Sequence, residues 1–209
     1  ADIMPITEST PQKIAESPYG ATKQMSERIL EDVTKASDIK VIALRYFNPI
    51  GAHPSALIGE NPNGVPNNLV PFICQTASGK REKLIVFGND FPTKDGTGIR
   101  DYVDVNDLAD AHIKAIEYLF THDEKFQYIN IGTGVGTSIL EIINTFEKVN
   151  NLKLNWEFGA RRPGDVTEAW ADIAKAENLL GWRPKRTLSD SLRSAWLWES
   201  ATRDGQYNN

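Results

Sequence analysis

The fold class is decided by Val41-Ile42-Ala43-Leu44-Arg45-Tyr46-Phe47-Asn48-Pro49-Ile50-Gly51. The first four residues form a continuous apolar run, which is typical of a strand buried in a parallel sheet. A helix is predicted just before this strand, over Tyr19–Ala36, because apolar residues recur there on one helical face. These residues are Met25, Ile29, Leu30 and Val33.

Short helices and strands alternate along the rest of the chain. Strands are predicted over 84–87, 128–131 and 152–158, and helices over 69–78, 105–120, 172–180 and 188–201. Ser138 and Glu141 form a capping box that opens a further helix to about Val149. Loops are predicted up to Pro18, over 48–68 and over 88–98, where Pro and Gly are frequent. This alternation of strands and helices predicts an α/β architecture.

Composition excludes several classes of protein. The 209 residues are 40% hydrophobic and 24% charged, which is ordinary for a globular chain and excludes a disordered one. The formal net charge of −5 argues against a nucleic-acid partner, and no apolar run is long enough to span a bilayer. The first residues have no signal-peptide pattern, and the single cysteine, Cys74, cannot form an internal disulfide. We therefore expect a soluble cytoplasmic protein without membrane contact.

Tyr19 and Lys23 are four residues apart, so they lie one turn apart on the same face of the predicted helix. A phenol with a reference pKa near 10 needs a nearby positive charge to act as a base at neutral pH. Lys23 can supply that charge. Taken alone, such a pair is far more often a solvated tyrosine beside a surface lysine than a catalytic pair.

The residues around this pair carry a family resemblance. Ser17–Lys23, followed by Arg45–Gly51, resembles the extended short-chain dehydrogenase/reductase family. Five later motifs occur in one order and are similar to those of the UDP-galactose 4-epimerases of that family. They cover 51–55, 64–69, 86–93, 95–103 and 161–165.

The resemblance extends over nearly the whole chain and implies the carboxy-terminal three-fifths of such an enzyme. Residues 1–50 would be the end of an NAD-binding Rossmann domain that carries the catalytic helix. Residues 51–209 would mainly form a smaller mixed α/β domain that binds the UDP-sugar, with segments near 99–135 returning to the Rossmann lobe. The glycine-rich NAD loop would lie outside the chain, so we expect the isolated chain to be inactive. The full-length parent would be a homodimer with NAD as its cofactor and a UDP-hexose as its substrate.

The resemblance also assigns roles at the reaction centre. Tyr19 would take the proton of the sugar 4-hydroxyl while a hydride passes from C4 to NAD. Lys23 would bind the nicotinamide ribose and lower the pKa of Tyr19, and Phe47 would line the nicotinamide pocket. Ala169 would set the size of the hexose pocket, since a small residue there accompanies tolerance of N-acetylated sugars.

The remaining implied residues hold the UDP end of the substrate. Asn48, Asn68 and Leu69 would contact the nucleotide sugar, and Phe87 would lie against the uracil. Arg100 and Arg162 would clamp the diphosphate, because forked guanidinium groups match phosphate oxygens. Asp165 would accept a hydrogen bond from the uridine ribose. The alternatives are a surface ion pair between Arg100 and Asp101 and a solvated turn over 161–165.

Two further patterns concern cofactor and metal binding. Gly132-Thr133-Gly134-Val135-Gly136 follows an expected strand and superficially resembles a dinucleotide-binding loop, but its spacing differs from G-x-G-x-x-G. We interpret it as a structural turn. The three histidines and Cys74 have no metal-ligand spacing, and Cys74 is expected in the core. Two other functions stay open: a related nucleotide-sugar epimerase or decarboxylase, such as a UDP-glucuronate enzyme, and a non-catalytic nucleotide-sugar-binding fragment.

Overall fold

The structure, a computed structural model, describes residues 3–15 and 17–203. Six helices and nine strands are assigned within these ranges. The helices are α1 (Pro18–Ala36), α2 (Leu69–Ala77), α3 (Val105–Thr121), α4 (Ile139–Asn150), α5 (Ala174–Leu180) and α6 (Leu188–Arg203). The strands are β1 (Val41–Tyr46), β2 (Asn48–Ile50), β3 (Leu84–Phe87), β4 (Ile99–Arg100), β5 (Tyr102–Asp104), β6 (Phe126–Ile131), β7 (Thr137–Ser138), β8 (Trp156–Gly159) and β9 (Glu168–Ala169).

Parallel pairing dominates the sheets. Strand β1 pairs with β6, β2 with β5 and β3 with β8, all in parallel. Strand β4 lies between β7, which is antiparallel to it, and β9, which is parallel. These pairs and the helices between them confirm the predicted α/β class. Over the described ranges, no helix is both long and apolar enough to cross a bilayer.

Some predicted boundaries were wrong. The strand predicted over 152–158 begins only at Trp156, because Asn151 ends α4 in the left-handed conformation and residues 152–155 belong to no helix or strand. Strands β2, β4, β5, β7 and β9 were not predicted, since two or three residues are too short to carry a periodic pattern. The segment before α1 was predicted as a surface loop, yet Ile6 forms a parallel bridge to Ala171.

Two hydrophobic cores hold the elements together. One lies between the β1–β6 pair and helices α3 and α5, and includes Ile129, Ile131 and Trp182. The other joins β3 to helices α2, α4 and α6, and includes Ile142 and Phe146. Cys74 belongs to this second core, as predicted, and burial raises the pKa of its thiol, which keeps it protonated.

Helix α1 exposes its apolar face, whereas an amphipathic helix usually buries that face against the rest of the protein. Ser17 caps it, as its hydroxyl accepts a hydrogen bond from the amide of Gly20. Its predicted apolar face is exposed to solvent, with Met25 and Ile29 exposed by 62% and 61%. The helix therefore turns its polar side to β1 and leaves an apolar stripe uncovered.

A charged clamp fixes that polar side to the sheet. Arg45 on β1 donates two hydrogen bonds to Glu27, from Nε to Oε1 at 2.7 Å and from Nη2 to Oε2 at 2.8 Å. The guanidinium also stacks on the ring of Tyr128, 4.1 Å from its centre. Burial alone would raise the pKa of Glu27, but hydrogen bonds from Arg45 and Gln12 and the charge of Arg45 hold it below its usual range.

Replacing Glu27 by Gln is expected to lower the free energy of unfolding by about 1 kcal/mol at neutral pH, since the amide lacks the charge that Arg45 pairs with. A lowered pKa contributes stability above the pKa of the unfolded state, and this contribution is lost as the pH falls through the folded-state value. The gap between wild type and Glu27→Gln should therefore close below about pH 4 in urea unfolding.

The control is Asp32→Asn on the same helix, whose carboxylate pairs with Arg28 and Lys35 in solvent. We expect it to change stability by only a few tenths of a kcal/mol at any pH. If the difference in free energy of unfolding between wild type and Glu27→Gln persists below about pH 4, the ion pair between Glu27 and Arg45 is not its cause.

Candidate functional site

Seven of the predicted site residues line one cavity of about 440 Å³. They are Asn48, Asn68, Leu69, Phe87, Arg100, Arg162 and Asp165. The cavity lies between β3, the start of α2 and the β4–β5 segment, so its walls come from parts of the chain that are far apart in sequence. The residues to which the family resemblance gives a role in substrate binding therefore lie close together, apart from Ala169.

Two arginines and one carboxylate form the charged part of this cavity. Arg162 Nε donates to Asp165 Oδ2 at 3.2 Å, and Arg100 Nη2 lies 3.9 Å from Asp165 Oδ1. Arg100 also donates from Nη1 to the carbonyl of Ile99 at 2.8 Å, which fixes its direction. The two guanidiniums share one carboxylate, so the cluster carries net positive charge and can accept an anion.

Aromatic and apolar side chains form the rest of the wall. The guanidinium of Arg162 lies over the ring of Phe87, 4.5 Å from its centre, and Arg161 lies over Phe91 at 3.8 Å. Tyr102 is buried at the back of the cavity, and burial raises its pKa to about 12, so the phenol stays neutral. An apolar slot beside a cation cluster suits a flat heterocycle that carries phosphate.

Lys23 and Phe47 line a different cavity, of about 410 Å³, between the first described loop, α1 and β1. The ammonium of Lys23 lies 5.2 Å from the centre of the Tyr19 ring, so the predicted pair is in contact. Tyr19 itself is 71% exposed and lines neither cavity. The structure thus separates the Tyr19–Lys23–Phe47 group from the cavity that Arg100 and Arg162 line.

Ala169 lies beside the charged cluster but does not line its cavity. It is half-buried on β9, directly opposite Arg100 in the parallel register. Its side chain is therefore one strand away from the guanidinium that was predicted to bind phosphate.

Two backbone amides of the glycine-rich turn over 132–136 are bonded to a buried side chain. The amides of Thr133 and Gly134 donate to the buried carboxylate of Asp101, at 2.7 and 3.1 Å. These two amides are therefore bonded to a protein carboxylate and are not directed at an outside anion.

Asp101 is the functional candidate that the sequence analysis missed. It was considered only as a surface partner of Arg100, yet it is fully buried and accepts hydrogen bonds from Thr133, Gly134 and Ala171 instead. The only local signal is that Arg100 and Asp101 stand between Ile99 and Tyr102-Val103, which does not say which of the two charged side chains is buried. Residues 3–15 and 17–203 contain no group of His, Cys, Asp and Glu side chains that could hold a metal ion.

Comparison with known proteins assigns the chain to a family. Residues 1–195 match the sequence profile of the GDP-mannose 4,6 dehydratase family, and the chain belongs to that family. Within it, the UDP-glucose 4-epimerase of Bacillus subtilis (strain 168) is 51% identical over 202 residues, which are 96% of this chain and 59% of the relative.

Two solved structures are similar to the chain at high TM-scores. The UDP-glucose-4-epimerase from Stenotrophomonas maltophila, crystallised with NAD and formylated UDP-arabinopyranose, has a TM-score of 0.95 and 42% identity. The UDP-glucose 4-epimerase from Bifidobacterium longum, in complex with NAD+ and UDP, has a TM-score of 0.91 and 41% identity. Each match covers 98% of this chain and 61% of the other chain, so the chain spans about three-fifths of the proteins it resembles.

Inorganic pyrophosphate tests the charged cluster without any sugar or base. Arg100→Gln is expected to weaken its binding about tenfold, because a forked, charged donor is lost. Asp165→Asn is expected to strengthen binding about threefold, since it removes the carboxylate that competes for both arginines. Calorimetric titration measures both effects.

Arg183→Gln is the matched control, because Arg183 is paired with Glu177 on the surface and does not line the cavity. Its pyrophosphate affinity should equal that of wild type. If the Arg100→Gln variant binds pyrophosphate as tightly as wild type, Arg100 is not part of the anion site.

Proposed function

We propose that the protein containing this chain interconverts UDP-glucose and UDP-galactose as a 4-epimerase that uses NAD. The observation that carries this proposal is the cavity in which Arg100, Arg162 and Asp165 stand beside the ring of Phe87. This arrangement offers cations for a diphosphate and an aromatic face for uracil, and the similar structures were crystallised with UDP or a UDP-sugar.

The UDP end would be held firmly. Arg100 and Arg162 would bind the diphosphate oxygens, which displaces Asp165 from its present ion pairs and frees it to accept a hydrogen bond from the uridine ribose. Phe87 would lie against the uracil, while Asn48, Asn68 and Leu69 would contact the nucleotide sugar from the facing wall. These contacts fix the substrate without touching C4 of the hexose.

The hexose itself would be held loosely. Epimerisation at C4 removes a hydride from one face of the sugar and returns it to the other face of the 4-keto intermediate, so the ring must turn over between the two steps. Binding energy placed on the diphosphate and uracil positions the ring without preventing that rotation.

Tyr19 would move the proton. NAD, when bound, would supply a reversible hydride acceptor. Tyr19 would take the 4-hydroxyl proton in the first step and give it back in the second. Lys23, whose ammonium lies 5.2 Å from the centre of the Tyr19 ring, would hold a positive charge next to the phenol. Phe47 would line the nicotinamide side, and it shares the second cavity with Lys23.

We also propose that the chain forms parts of two lobes. The core between β1, β6, α3 and α5 would belong to the NAD-binding lobe, and the core around α2, α4 and α6 to the UDP-sugar lobe. Among the described residues, β1 pairs on one side only, so its other edge is available for a further strand of the NAD-binding sheet. The glycine turn at 132–136 would not contribute to NAD binding, because Asp101 occupies its amides.

A homodimer is the partner that the exposed face of α1 supports. Met25, Ile29 and Val33 lie one turn apart along the helix and are exposed by 62%, 61% and 37%. A stripe of this kind marks a protein interface, and two copies of α1 could cover each other. Sedimentation velocity of wild type and Ile29→Lys distinguishes this dimer from a monomer.

Tyr19→Phe is the variant that tests the proposed chemistry. In the protein containing this chain, it should reduce turnover of UDP-galactose by several orders of magnitude, about a thousandfold or more, because the proton acceptor is lost. UDP affinity should be unchanged, since Tyr19 lies outside the cavity that would hold UDP. A coupled assay that consumes UDP-glucose measures turnover, and calorimetry measures affinity.

Tyr118→Phe is the control, because it also removes one phenol hydroxyl but lies on α3, where Tyr118 stacks on His122. It should turn over substrate at the wild-type rate. Near-normal turnover in the Tyr19→Phe protein would show that another group carries the proton.

Ala169 is proposed to set which sugars are accepted. With a small residue at this position, the protein should also interconvert UDP-N-acetylglucosamine and UDP-N-acetylgalactosamine. Ala169→Tyr should reduce the rate with these acetylated sugars by about ten- to a hundredfold, because overpacking excludes the acetamido group, while the plain sugars are still turned over. Ala169→Ser, which stays small, should retain both activities. If Ala169→Tyr accepts acetylated sugars as readily as wild type, the gate lies elsewhere.

A further inference from the structure

Asp101 links two distant segments through its side chain. It lies between β4 and β5 and is fully buried. Oδ1 accepts hydrogen bonds from the amide and hydroxyl of Thr133, both at 2.7 Å. Oδ2 accepts from the amides of Gly134 and Ala171, both at 3.1 Å. One carboxylate therefore holds the turn after β6 and the segment after β9 at the same time.

The backbone of Asp101 extends this link to the wall of the cavity. Its amide donates to the carbonyl of Ala169 at 3.1 Å, and its carbonyl accepts from the amide of Asn48 at 2.9 Å. Asn48 lines the cavity, as do the two residues that flank Asp101, Arg100 and Tyr102. A shift of Asp101 would therefore move three lining residues together.

Gly132 packs directly against the carboxylate of Asp101. A Cβ atom at Gly132 would come within 2.3 Å of Asp101 Oδ2 and 2.9 Å of the Cβ of Ala171. The absence of a side chain at Gly132 is thus what lets the carboxylate reach both segments.

We propose that Asp101 is a positioning residue for the nucleotide-sugar site, acting through Arg100 and β9. Its carboxylate holds the segment after β9 against β4, which fixes Arg100 opposite Ala169 and keeps Asp165, four residues before Ala169, within reach of Arg100. This inference rests on the proposed function, because it assumes that the cavity binds UDP.

Asp101→Asn tests the link with little change in volume. An amide presents one acceptor and one donor, so either the Thr133 pair or the Gly134–Ala171 pair of donors loses its acceptor. We expect Asp101→Asn to weaken UDP binding about tenfold, because a displacement near 1 Å in a charged site is costly. Calorimetric titration with UDP, at a temperature where the variants are folded, measures this.

The matched control is Asp107→Asn. Asp107 is 1% exposed and also accepts from distant donors, the amides of Lys185 and Arg186 at 2.9 Å each. Unlike the neighbours of Asp101, the two residues that flank Asp107 do not line the cavity. Both variants should unfold at lower temperature than wild type, whereas only Asp101→Asn should lose UDP affinity. If Asp101 contributed only to stability, the two variants would have the same UDP affinity.

Gly132→Ala should also displace Asp101, because the added methyl group would collide with its carboxylate, and this variant keeps the charge of Asp101. It should weaken UDP binding as well, and it decides the outcome if Asp101→Asn does not fold. If wild type binds UDP and either folded variant binds it equally tightly, the positioning role is wrong. If wild type does not bind UDP, the proposed function fails and this inference fails with it.

Discussion

The buried carboxylate of Asp101 is the contact on which the wall of the cavity depends. Burying a charge is costly unless hydrogen bonds compensate, and here four donors do so. Asp104, the N-cap of α3, and Asp107, in its first turn, are also buried and accept hydrogen bonds from distant residues. Asp104 accepts from the hydroxyl of Ser191, and Asp107 accepts from the amide of Arg186. Three aspartates thus tie the last third of the chain to the β5–α3 segment.

The sequence was informative wherever a signal was local and repeated. The helix that begins after Ser138 was predicted from the capping-box spacing of Ser138 and Glu141. In the structure the Ser138 hydroxyl accepts from the amide of Glu141, and the Glu141 carboxylate accepts from the amide of Ser138. The strand at 84–87 was predicted from a short apolar run between polar loops. By contrast, β7 and β9 have two residues each, and their strand conformation comes from pairing with β4, which is itself remote in sequence.

The site depended on a different kind of information. Arginine chemistry alone indicates an anion site, but it does not say that Arg100 and Arg162 meet at one cavity; the family motifs supplied that grouping. Two features escaped because they depend on tertiary context. Local periodicity cannot tell which face of α1 meets the sheet, and the burial of Asp101 requires donors that lie more than thirty residues away. Hydrophobic pattern predicts the face that will be covered, not the partner that covers it.

The parallel pairing of the sheets also decides how the molecule can fold. Val41 is paired with Phe126, Asn48 with Tyr102 and Leu84 with Trp156, so within the described ranges no ladder is a local hairpin. The entropy of closing each of these long loops must be lost before its pairing contributes any stability. Chains of this topology reach the native state slowly, and their strand edges stay open to neighbouring chains in the meantime. The yield of refolded protein should accordingly fall as the chain concentration rises. Pairing of the distant strands within one chain is first order, whereas association between chains is second order and competes with it.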